Sequence, residues 1–593
     1  MAQRPDHAEA QFTLASLRHW RDARPAAIAA YQRAIEIDPA HAGALTGLSR
    51  ALTETGDHSA ALEAACAALA IAPEEPSAHL ALGSAWRGLG EVREAAVAFS
   101  ESARLAPSLV AAHVGAALAY ADLGEALNAA IAAERAVTLD PQLCDGWQAL
   151  GVAMRGLHQP DHARLAFERA VALDPARATA HLNLGLALIE LERAQEARQR
   201  LERALELDPT SAKAHANLSS LYILAGRRDL AKSHALRALD IDPDMMSAHQ
   251  NLAALLAEEQ DAVGARLHRD HAYAERNLVI TTASRPIQRV LILTTTESGN
   301  TPDRYLMPPR DYTRLLWFVE YASERQMSDL PDYDVAFNAI GDEDLAGPTA
   351  ANARRFAELC PTPLINPPQL IARTRRDLTG ELLGAIPGLV VPCTARVEAN
   401  DLGAGGVRQA AADAGIGLPF LVRPIGSHGG KGLQLVGGDA PDEPLTPARA
   451  YYLTQFVDFR GSDGLFRKYR TIFVDGAALP YHLAISPNWM VHYESSGMEQ
   501  HPDRLAEEVR FLDDPAAALG AEAAAAVEAV GRAMGLGYAG VDFTLLPDGR
   551  VLVFEANATM LAHPEAPDGP LAHKNASIER IFAAFRAMLA RED

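Results

Sequence analysis

The chain has 593 residues, too many for a single hydrophobic core, and this length predicts about three to five domains. Its 54 basic and 76 acidic residues give a formal net charge of −22 at neutral pH. Such an acidic surplus disfavours non-specific binding to nucleic acid and to anionic membrane surfaces. We therefore expect neither nucleic acid nor a membrane among the partners.

Cysteine usage and hydropathy predict a cytoplasmic protein. The four cysteines lie far apart and form no CxxC pair, which is typical of a reducing compartment. The segment Met1–His7 is largely polar and no apolar run follows it, so a signal peptide is not expected. No stretch approaches the ~20 apolar residues of a transmembrane helix.

The first half of the chain is periodic. Prolines recur every 34 residues and a series of alanines keeps the same spacing: Pro39, Pro73, Pro107, Pro141, Pro175, Pro209 and Pro243, with Ala27, Ala61, Ala95, Ala129, Ala163, Ala197, Ala231 and Ala265. Alanines let antiparallel helices approach closely, and Asp-Pro dipeptides end one helix and open the next turn. The pattern resembles the tetratricopeptide (TPR) family, whose 34-residue unit is a helix–turn–helix. The resemblance implies an all-α solenoid over residues 1–280, with about eight repeats and a capping last repeat.

Histidines stand in register in these repeats, in the position where TPR units carry tryptophan and where this chain has Trp147. They are His79, His113, His181, His215 and His249. Adjacent helices lie about 8–10 Å apart, so successive imidazole rings cannot share one metal ion. We predict that these histidines pack between helices.

Asparagines form a second series, with Asn183, Asn217 and Asn251 each two residues after a histidine. A side-chain amide offers both a donor and an acceptor, so it can bond to a peptide backbone of any sequence. The series resembles the asparagine ladder in the TPR domain of O-linked N-acetylglucosamine transferase, which grips extended polypeptides. Two interpretations stay open: the asparagines bind a peptide or protein substrate, or they pack or cap between helices.

An α/β pattern begins after about residue 286, where Arg289–Thr295 predicts a buried strand. Further on, Phe420–Val436 contains two apolar runs joined by a glycine-rich loop. The loop is not a P-loop, because Lys431 is followed by glycine and then by a strand. Its exposed amides, together with Ser427 and Lys431, favour a flap over phosphates rather than a turn without function.

Near the end of the chain, two apolar runs flank Asp548-Gly549, a dipeptide that favours a two-residue hairpin turn. Such a turn places Asp542 opposite Glu555, with Asn557 on the same face. Facing carboxylates repel one another, whereas a divalent cation with open positions for phosphates would stabilise them. The alternative is a solvated edge hairpin with incidental acids, but the neighbouring residues are too apolar for that.

The order of these elements resembles the ATP-grasp superfamily over roughly residues 287–593. Glutathione synthetase, D-alanine–D-alanine ligase and the ribosomal-protein glutamate ligase look most similar. The spacing of Asp542, Glu555 and Asn557 matches the magnesium ligands of that superfamily. The resemblance implies a multidomain fold class: after the all-α TPR solenoid come an α/β pre-ATP-grasp domain (287–388) and an α+β ATP-grasp domain (389–593).

The same resemblance implies ATP and Mg²⁺ as cofactors, with Asp542, Glu555 and Asn557 as metal ligands. Arg470 would contact the acyl phosphate or the carboxylate substrate; its alternative is a surface charge. The implied nucleotide-binding residues are Arg376, Arg423, Gly426, Ser427, Gly429, Gly430, Lys431, Gly432, Gln455, Phe456, Val457 and Asp458. Gln455 and Asp458 could also be ordinary polar residues at a strand end.

Three positions depart from the family pattern. Arg423 stands where the family has lysine on the α-phosphate, and arginine keeps the charge but changes the geometry. Ala558–His563 replaces a Ser-Pro-Gly-like segment after the metal asparagine. An earlier lysine that touches the nucleotide in the family is also absent, and only Arg373, Arg375 and Arg376 are available for it. In addition, Gly540 stands where D-alanine ligases carry an arginine, although glutathione synthetase-like enzymes have a small residue there too. The departures leave ATP and magnesium plausible and the second substrate open.

The resemblance implies a carboxylate–amine ligase that works through an acyl phosphate on a peptide or protein guided by the TPR groove. One alternative is a small-molecule ATP-grasp ligase or kinase whose repeats serve assembly. Another is a nucleotide-binding scaffold without catalysis. The substrates and the oligomeric state are not encoded in any motif that we identify.

Overall fold

A computed structural model of the chain describes residues 7–283, 285–296, 300–301, 303–341, 344, 347–402, 406–427, 430–437 and 445–591. The chain divides into two compact units, Met1–Ala272 and Tyr273–Asp593. Among the described residues, the secondary structure of the first unit consists of helices alone, whereas the second unit combines three sheets with helices.

The first unit is a series of antiparallel helix pairs, with sixteen consecutive helices among its described residues, two for each of the about eight predicted repeats. Their bounds are Ala8–Trp20 (α1), Arg24–Ile37 (α2), Ala42–Glu54 (α3), His58–Ile71 (α4), Pro76–Gly88 (α5), Val92–Leu105 (α6), Val110–Asp122 (α7), Ala126–Leu139 (α8), Cys144–Gly156 (α9), Pro160–Leu173 (α10), Ala178–Glu190 (α11), Ala194–Leu207 (α12), Ala212–Leu224 (α13), Arg228–Ile241 (α14), Met246–Glu258 (α15) and Ala262–Tyr273 (α16).

The periodic residues explain why these helices pack closely. All eight alanines of the 34-residue series are completely buried, so a larger side chain at any of them would push two helices apart. The joints are fixed locally: the Asp174 carboxylate, for example, accepts the N–H of Ala176 at 3.2 Å. This Asx turn ends one helix just before the next repeat begins.

The second unit contains fourteen strands and ten helices among its described residues. The strands are Leu278–Thr281 (β1), Gln288–Thr294 (β2), Tyr312–Phe318 (β3), Val335–Asn338 (β4), Leu364–Ile365 (β5), Leu389–Val390 (β6), Thr394–Glu398 (β7), Phe420–Pro424 (β8), Gln434–Val436 (β9), Ala450–Gln455 (β10), Phe466–Val474 (β11), Ala477–Ser486 (β12), Tyr538–Leu545 (β13) and Val551–Asn557 (β14). The helices are Asp303–Leu306 (α17), Glu324–Ser328 (α18), Gly347–Leu359 (α19), Pro368–Ile371 (α20), Thr379–Leu383 (α21), Gly406–Asp413 (α22), Pro502–Asp513 (α23), Pro515–Leu519 (α24), Ala521–Met534 (α25) and Asn575–Leu589 (α26).

These strands form three sheets. The first has the order β1-β3-β2-β4-β5 and is parallel except for β1. The second is antiparallel, with the order β7-β10-β8-β9. The third has the order β12-β11-β13-β14-β6 and is antiparallel except for β6, which pairs parallel with β14.

The largest core of the second unit lies against the third sheet. Its buried rings include Tyr469, Phe473, Phe511 and Phe543, and Tyr469 stacks on Phe543 at 5.3 Å. Because successive residues of a strand alternate between faces, the opposite face of β11 and β13 carries Arg470 and Asp542, and beyond them the apolar residues Ile472, Val474 and Tyr538 of a second core.

No helix in the described ranges is both long enough and apolar enough to span a bilayer.

Candidate functional site

The acidic hairpin predicted near the C-terminus is formed by β13 and β14. The strands pair antiparallel, with Asp542 opposite Glu555 and Gly540 opposite Asn557. The predicted pairing of the two acids is confirmed. The Asn557 amide donates to Glu555 Oε1 at 2.5 Å, so these two side chains lie on one face.

The turn between these strands is longer than the predicted two-residue turn at Asp548-Gly549, and that prediction is wrong. The chain turns through Pro547 and Asp548, and the Gly549 N–H donates to the Leu546 carbonyl at 2.9 Å. The register then shifts by one residue at a β-bulge beside Asp542. Because the bulge offsets the longer turn, the two acids still face each other.

The acids belong to a row of side chains that crosses four strands. Asp542 pairs with Glu555 on one side and with Arg470 on the other, and Arg470 in turn pairs with His482. Directly paired residues of antiparallel strands share one face, with Cβ atoms about 4.5–5.5 Å apart. The row therefore brings four titratable groups together from β14, β13, β11 and β12.

Basic side chains of the protein offset the repulsion between the two acids. Arg470 makes a two-pronged contact with Asp542, with Nε–Oδ1 at 2.6 Å and Nη2–Oδ2 at 2.9 Å. Lys468 Nζ lies 3.2 Å from Asp542 Oδ2. Glu555 has Arg376 Nη2 at 2.7 Å and Arg423 Nη1 at 3.8 Å. Each acid thus has two cationic partners.

These partners keep both acids ionised. Burial raises the pKa of Asp542, but the charges of Arg470 and Lys468 outweigh burial and hold the pKa well below its ordinary value. Burial also raises the pKa of Glu555, and Arg376 and Arg423 overcome it and lower the pKa to about 2. Both carboxylates are therefore anionic at neutral pH.

Three residues of the row, Arg470, Asp542 and Glu555, line a cavity of about 780 Å³ in the second unit. Its charged lining comprises four basic and three acidic side chains, Arg376, Arg423, Lys468, Arg470, Glu494, Asp542 and Glu555, and its apolar lining includes Val391, Leu421, Leu433, Phe456, Val457, Phe459, Trp489, Met490 and Val491. Residues of the second and third sheets both contribute. A volume and a mixed lining of this kind are typical of small-molecule sites.

Three of the four neighbouring residues predicted to bind nucleotide, Gln455 to Val457, lie in this cavity wall, whereas Asp458 does not. Gln455, Phe456 and Val457 line the cavity, and the Gln455 amide donates to the Pro419 carbonyl at 3.1 Å, which fixes the segment. Asp458 is exposed and accepts the N–H of Arg460 instead. The role of Asp458 stays a prediction.

The predicted glycine-rich flap is a hairpin of β8 and β9. Among its described residues, Gly430 lines the cavity, and Ser427 donates to the Pro424 carbonyl at 2.7 Å. The other predicted flap residues are Gly426, Lys431 and Gly432, for which no contact with the cavity is seen, whereas Gly429 lies outside the described residues.

The segment after Asn557 also lines the cavity, through Thr559, Met560 and Leu561. A Cβ atom at Gly540 would lie 2.5 Å from Met560 Cγ. The small residue at that position is thus needed because the loop passes directly over the strand.

Sequence reasoning missed two members of the site. Lys468 lies two residues before Arg470 on β11, so strand alternation alone would have placed both on one face. His482 has no comparable signal, because its position depends on how β12 registers against β11. It is buried, its Nε2 has no hydrogen-bond partner in the described part of the chain, and burial followed by the charge of Arg470 lowers its pKa well below the ordinary value.

The histidine series of the repeats makes helix-packing contacts, as predicted. Ring nitrogens of His79, His113, His181 and His249 contact the carbonyls of Pro73, Pro107, Pro175 and Pro243 at 2.8–3.1 Å. Trp147 donates to the Pro141 carbonyl at 2.9 Å in the same way. A carbonyl only accepts, so each histidine donates through its ring N–H. Each ring thus links its helix to the proline carbonyl at the preceding turn, and this contact recurs from repeat to repeat.

The asparagine series also makes contacts inside the array. The amide nitrogens donate as follows: Asn183 to Gln148 Oε1 at 3.3 Å, Asn217 to the Lys213 carbonyl at 2.7 Å, and Asn251 to the Ala216 carbonyl at 3.0 Å. Asn251 also bonds with the Ser220 hydroxyl at 3.0 Å. These contacts support the packing interpretation and leave peptide binding as a proposal.

No group of three or more His, Cys, Asp or Glu side chains in the described ranges is arranged to hold a metal ion. The predicted magnesium set contains only two such residues, Asp542 and Glu555, and its third ligand is the Asn557 amide. The set therefore depends on ligand phosphates to complete the coordination.

Two tetratricopeptide-repeat family models match the first unit, one at residues 13–76, 46–109 and 149–212 and the other at residues 188–258. The N-terminal ~270 residues are thus an all-α TPR array, and the mixed α/β region follows it. Comparison with curated proteins gives no match.

Solved structures with similar segments are TPR-type proteins or assemblies. The structure described as the APC/C hetero-tetramer Cut9–Hcn1 is 20% identical, with a TM-score of 0.39, over 46% of this chain and 54% of that chain. This chain therefore spans about half of that one. YrrB, described as a TPR protein with an unusual peptide-binding site, is 25% identical, with a TM-score of 0.27, over 33% of this chain and 99% of its own. TTC0263, a thermophilic TPR protein of Thermus thermophilus, is 22% identical, with a TM-score of 0.27, over 31% and 99%.

Proposed function

We propose that the second unit is an ATP-grasp-type enzyme that uses ATP and Mg²⁺ to join a carboxylate to an amine. The observation that carries the proposal is the cavity in which Asp542 and Glu555 face each other among four basic side chains. This arrangement combines hard oxygen ligands for a cation with positive charge for a polyphosphate.

The donor set fits magnesium. Carboxylate oxygens of Asp542 and Glu555 and the Asn557 carbonyl oxygen are hard ligands, and a nucleotide would add phosphate oxygens. Asn557 is held in place because its Oδ1 accepts the N–H of Thr559 at 3.1 Å. Bound Mg²⁺ would supply charge neutralisation at the transferring phosphoryl group.

The remaining lining fits a nucleoside triphosphate. Arg376 and Arg423 present guanidinium groups, which hold phosphate oxygens in two-pronged fashion. The apolar wall around Phe456 and Trp489 offers a surface for a base. Arginine at position 423 in place of the family lysine is compatible with this role, because the charge is the same.

Two bond exchanges would make the product. A carboxylate oxygen attacks the γ-phosphorus of ATP and ADP leaves, which gives an acyl phosphate. The amine nitrogen then attacks the carbonyl carbon, the amide bond forms, and the phosphate leaves with the amine proton. Lys468 and Arg470 would hold the negative charge of the carboxylate and of the acyl phosphate. Neither step needs a nucleophile from the protein.

The TPR array supports a peptide or protein as one substrate, because stacked helical repeats form extended binding surfaces. In this proposal Asn183, Asn217 and Asn251 hold the peptide backbone. Replacing all three by alanine should then weaken binding of the protein substrate while ATP binding stays the same. Unchanged substrate affinity would contradict this part of the proposal.

A second candidate is an enzyme, ligase or kinase, that acts on a small molecule and uses its repeats for assembly. The amide contacts of Asn183, Asn217 and Asn251 favour it, because each amide already has a partner within the array. Under this candidate the triple alanine variant changes the assembly state and leaves every substrate affinity unchanged.

Calorimetric titration with Mg-ATP tests the nucleotide site first. We expect binding by the natural chain and a loss of at least about tenfold in Asp542→Asn, because one metal ligand loses its charge. Asp548→Asn, in the exposed turn of the same hairpin, is the matched control and should bind normally. A chain that binds no ATP with or without magnesium contradicts the proposal.

Product analysis separates the remaining outcomes. The protein is incubated with ATP, magnesium and pools of peptides or amino acids, and the products are weighed by mass spectrometry. A new amide with release of ADP supports a ligase, whereas a phosphorylated product indicates a kinase. ATP binding without any turnover indicates a nucleotide-binding scaffold.

A further inference from the structure

In the cavity that the proposed function assigns to ATP, the basic groups around Asp542 are more exposed than that acid, whereas the Glu555 side chain, at 21%, is slightly more exposed than its own basic partners. The Asp542 side chain is only 5% exposed, whereas the side chains of Lys468 and Arg470 beside it are 17% and 19% exposed. Arg376 and Arg423 are exposed to a similar degree, at 16% and 17%. A ligand that enters the cavity therefore meets the basic groups before it meets the Asp542 carboxylate.

Both oxygens of Asp542 have cationic partners. Arg470 donates to Oδ1 and to Oδ2, and Lys468 also reaches Oδ2. A divalent cation that bound Asp542 in this arrangement would lie within a few ångströms of two positive charges. Like charges so close together repel strongly in a partly buried site.

Glu555 is occupied in the same way. Its Oε1 accepts from Asn557 Nδ2 and lies against Arg376, and its Oε2 lies closest to Arg423. The Asn557 amide donates to the acid that it would join as a metal ligand. All three predicted ligands are thus engaged by groups that a metal ion would have to displace.

Phosphate groups can remove this obstacle. Their negatively charged oxygens form strong, charge-assisted hydrogen bonds with guanidinium and ammonium groups. The four basic side chains all line the cavity, so they can reach a bound phosphate. As the basic groups move to phosphate oxygens, their contacts with Asp542 and Glu555 weaken. The two carboxylates then become available to a cation that also bridges the phosphates.

We propose that the cavity binds polyphosphate before metal: Arg376, Arg423, Lys468 and Arg470 pair with Asp542 and Glu555 until a triphosphate draws them away. This rests on the proposed nucleotide site and adds an order of binding to it. The site takes a nucleoside triphosphate without metal, excludes a free divalent cation, and accepts the cation only with the phosphates.

Binding measurements without turnover test this order. The full chain is titrated with ATP in the presence of EDTA, with tripolyphosphate under the same conditions, and with Mn²⁺ alone, whose free fraction is followed by electron paramagnetic resonance. We expect saturable ATP binding in EDTA, competition by tripolyphosphate, and no saturable Mn²⁺ binding below about 1 mM, because without phosphates the basic side chains hold the carboxylate oxygens that the cation needs.

Paired variants make the test specific. In Lys468→Met/Arg470→Met the Asp542 carboxylate loses both cationic partners, so Mn²⁺ should bind without nucleotide while metal-free ATP binds at least about tenfold more weakly. Arg423→Gln should also strengthen Mn²⁺ binding without nucleotide and weaken metal-free ATP binding, each by a smaller factor. It replaces the double variant in the test if the double variant does not fold. Arg550→Met, in the exposed turn after β13, should leave both affinities unchanged.

The outcomes separate this proposal from the one on which it rests. ATP binding that requires metal, ATP binding that tripolyphosphate does not displace, or free Mn²⁺ binding as tight in the natural chain as in the double variant overturns the order of binding. The absence of ATP binding under every condition overturns the nucleotide site itself.

Discussion

The two units of this protein use their polar side chains in opposite ways. In the TPR array, the histidines and asparagines recur every 34 residues and bond to groups on the same or a neighbouring repeat. In the second unit, Arg376, Arg423, Arg470, Asp542 and Glu555 come from widely separated positions and converge on one cavity.

The difference shows that a regular pattern of polar residues is not by itself a sign of a site. In the array, regularity arises because every repeat must solve the same packing problem. In the second unit, charged residues gather although their burial is costly, and each depends on its partners. Convergence without periodicity is therefore the stronger indication of function.

The largest expected effect is a loss of stability in the second unit when a core ring is removed. Phe473 is fully buried, and helix α25 packs so closely that a Cβ atom at Gly531 would lie 2.5 Å from its ring. We expect Phe473→Ala to lower the free energy of unfolding by about 3–5 kcal/mol, as measured by urea denaturation. Hydrogen exchange should show the loss in β11–β13 and not in α1–α8; equal losses in both would contradict independent cores.

A smaller effect tests the close packing of the array. A Cβ atom at Gly151 would lie 2.4 Å from the ring of Phe167, so we expect Gly151→Ala to lower the free energy of unfolding by about 1–3 kcal/mol through overpacking. The double variant Gly151→Ala/Phe167→Leu makes room for the methyl group. Its stability should exceed that expected from adding the two single changes; simple additivity would show that the helices can move apart freely.

The two units also differ in how their buried histidines make stability depend on pH. Burial lowers the pKa of His215 and His234 in the array and, more strongly, of His482 in the second unit. Each lowered pKa means that the unfolded chain binds more protons below pH ~6.5, so stability is complete above that value and falls on acidification.

The two units should respond differently to one substitution. In the second unit the loss between pH ~6.5 and ~5 should come mainly from His482, so His482→Gln should flatten the pH dependence of hydrogen exchange in β11 and β12. In the array several histidines share the effect, so His215→Gln should leave most of it. A pH dependence of β11 and β12 that persists in His482→Gln would contradict this assignment.

The smallest expected effect tests the equivalence of tryptophan and histidine in the repeats. Trp147 and His181 make the same contact with a proline carbonyl at their repeat joints. Trp147→His should therefore keep the bond, whereas Trp147→Phe should lose it at a cost of about 1 kcal/mol. Thermal unfolding followed by circular dichroism compares them; equal stability would show that the bond contributes nothing.

Local patterns predicted the array well because its contacts are local. The 34-residue spacing located eight repeats, and Trp147 in the histidine position indicated a packing role before any contact was known. The asparagines show the limit of such reasoning. Their spacing is the same whether they bond to Gln148 and Ser220 or to a peptide, so the sequence left both interpretations open.

The candidate site was predicted in part for the same physical reason. Asp542 and Glu555 lie in one hairpin, so their pairing followed from the alternation of strand residues, even though the turn was assigned one residue too short. Lys468 and His482 were missed because they lie on β11 and β12. The residue pattern of the β13–β14 hairpin does not predict which side chains of the neighbouring strands lie beside it.

The sequence by itself determined a TPR array, an α/β region and a pair of acids that face each other across a hairpin. Tertiary structure alone decided that Arg376, Arg423, Lys468 and Arg470 meet these acids in one cavity. Spacing and alternation encode contacts within a repeat or a hairpin, whereas contacts between sheets depend on how separate segments pack. That packing surrounds two repelling carboxylates with four basic groups, which outnumber them and keep them ionised.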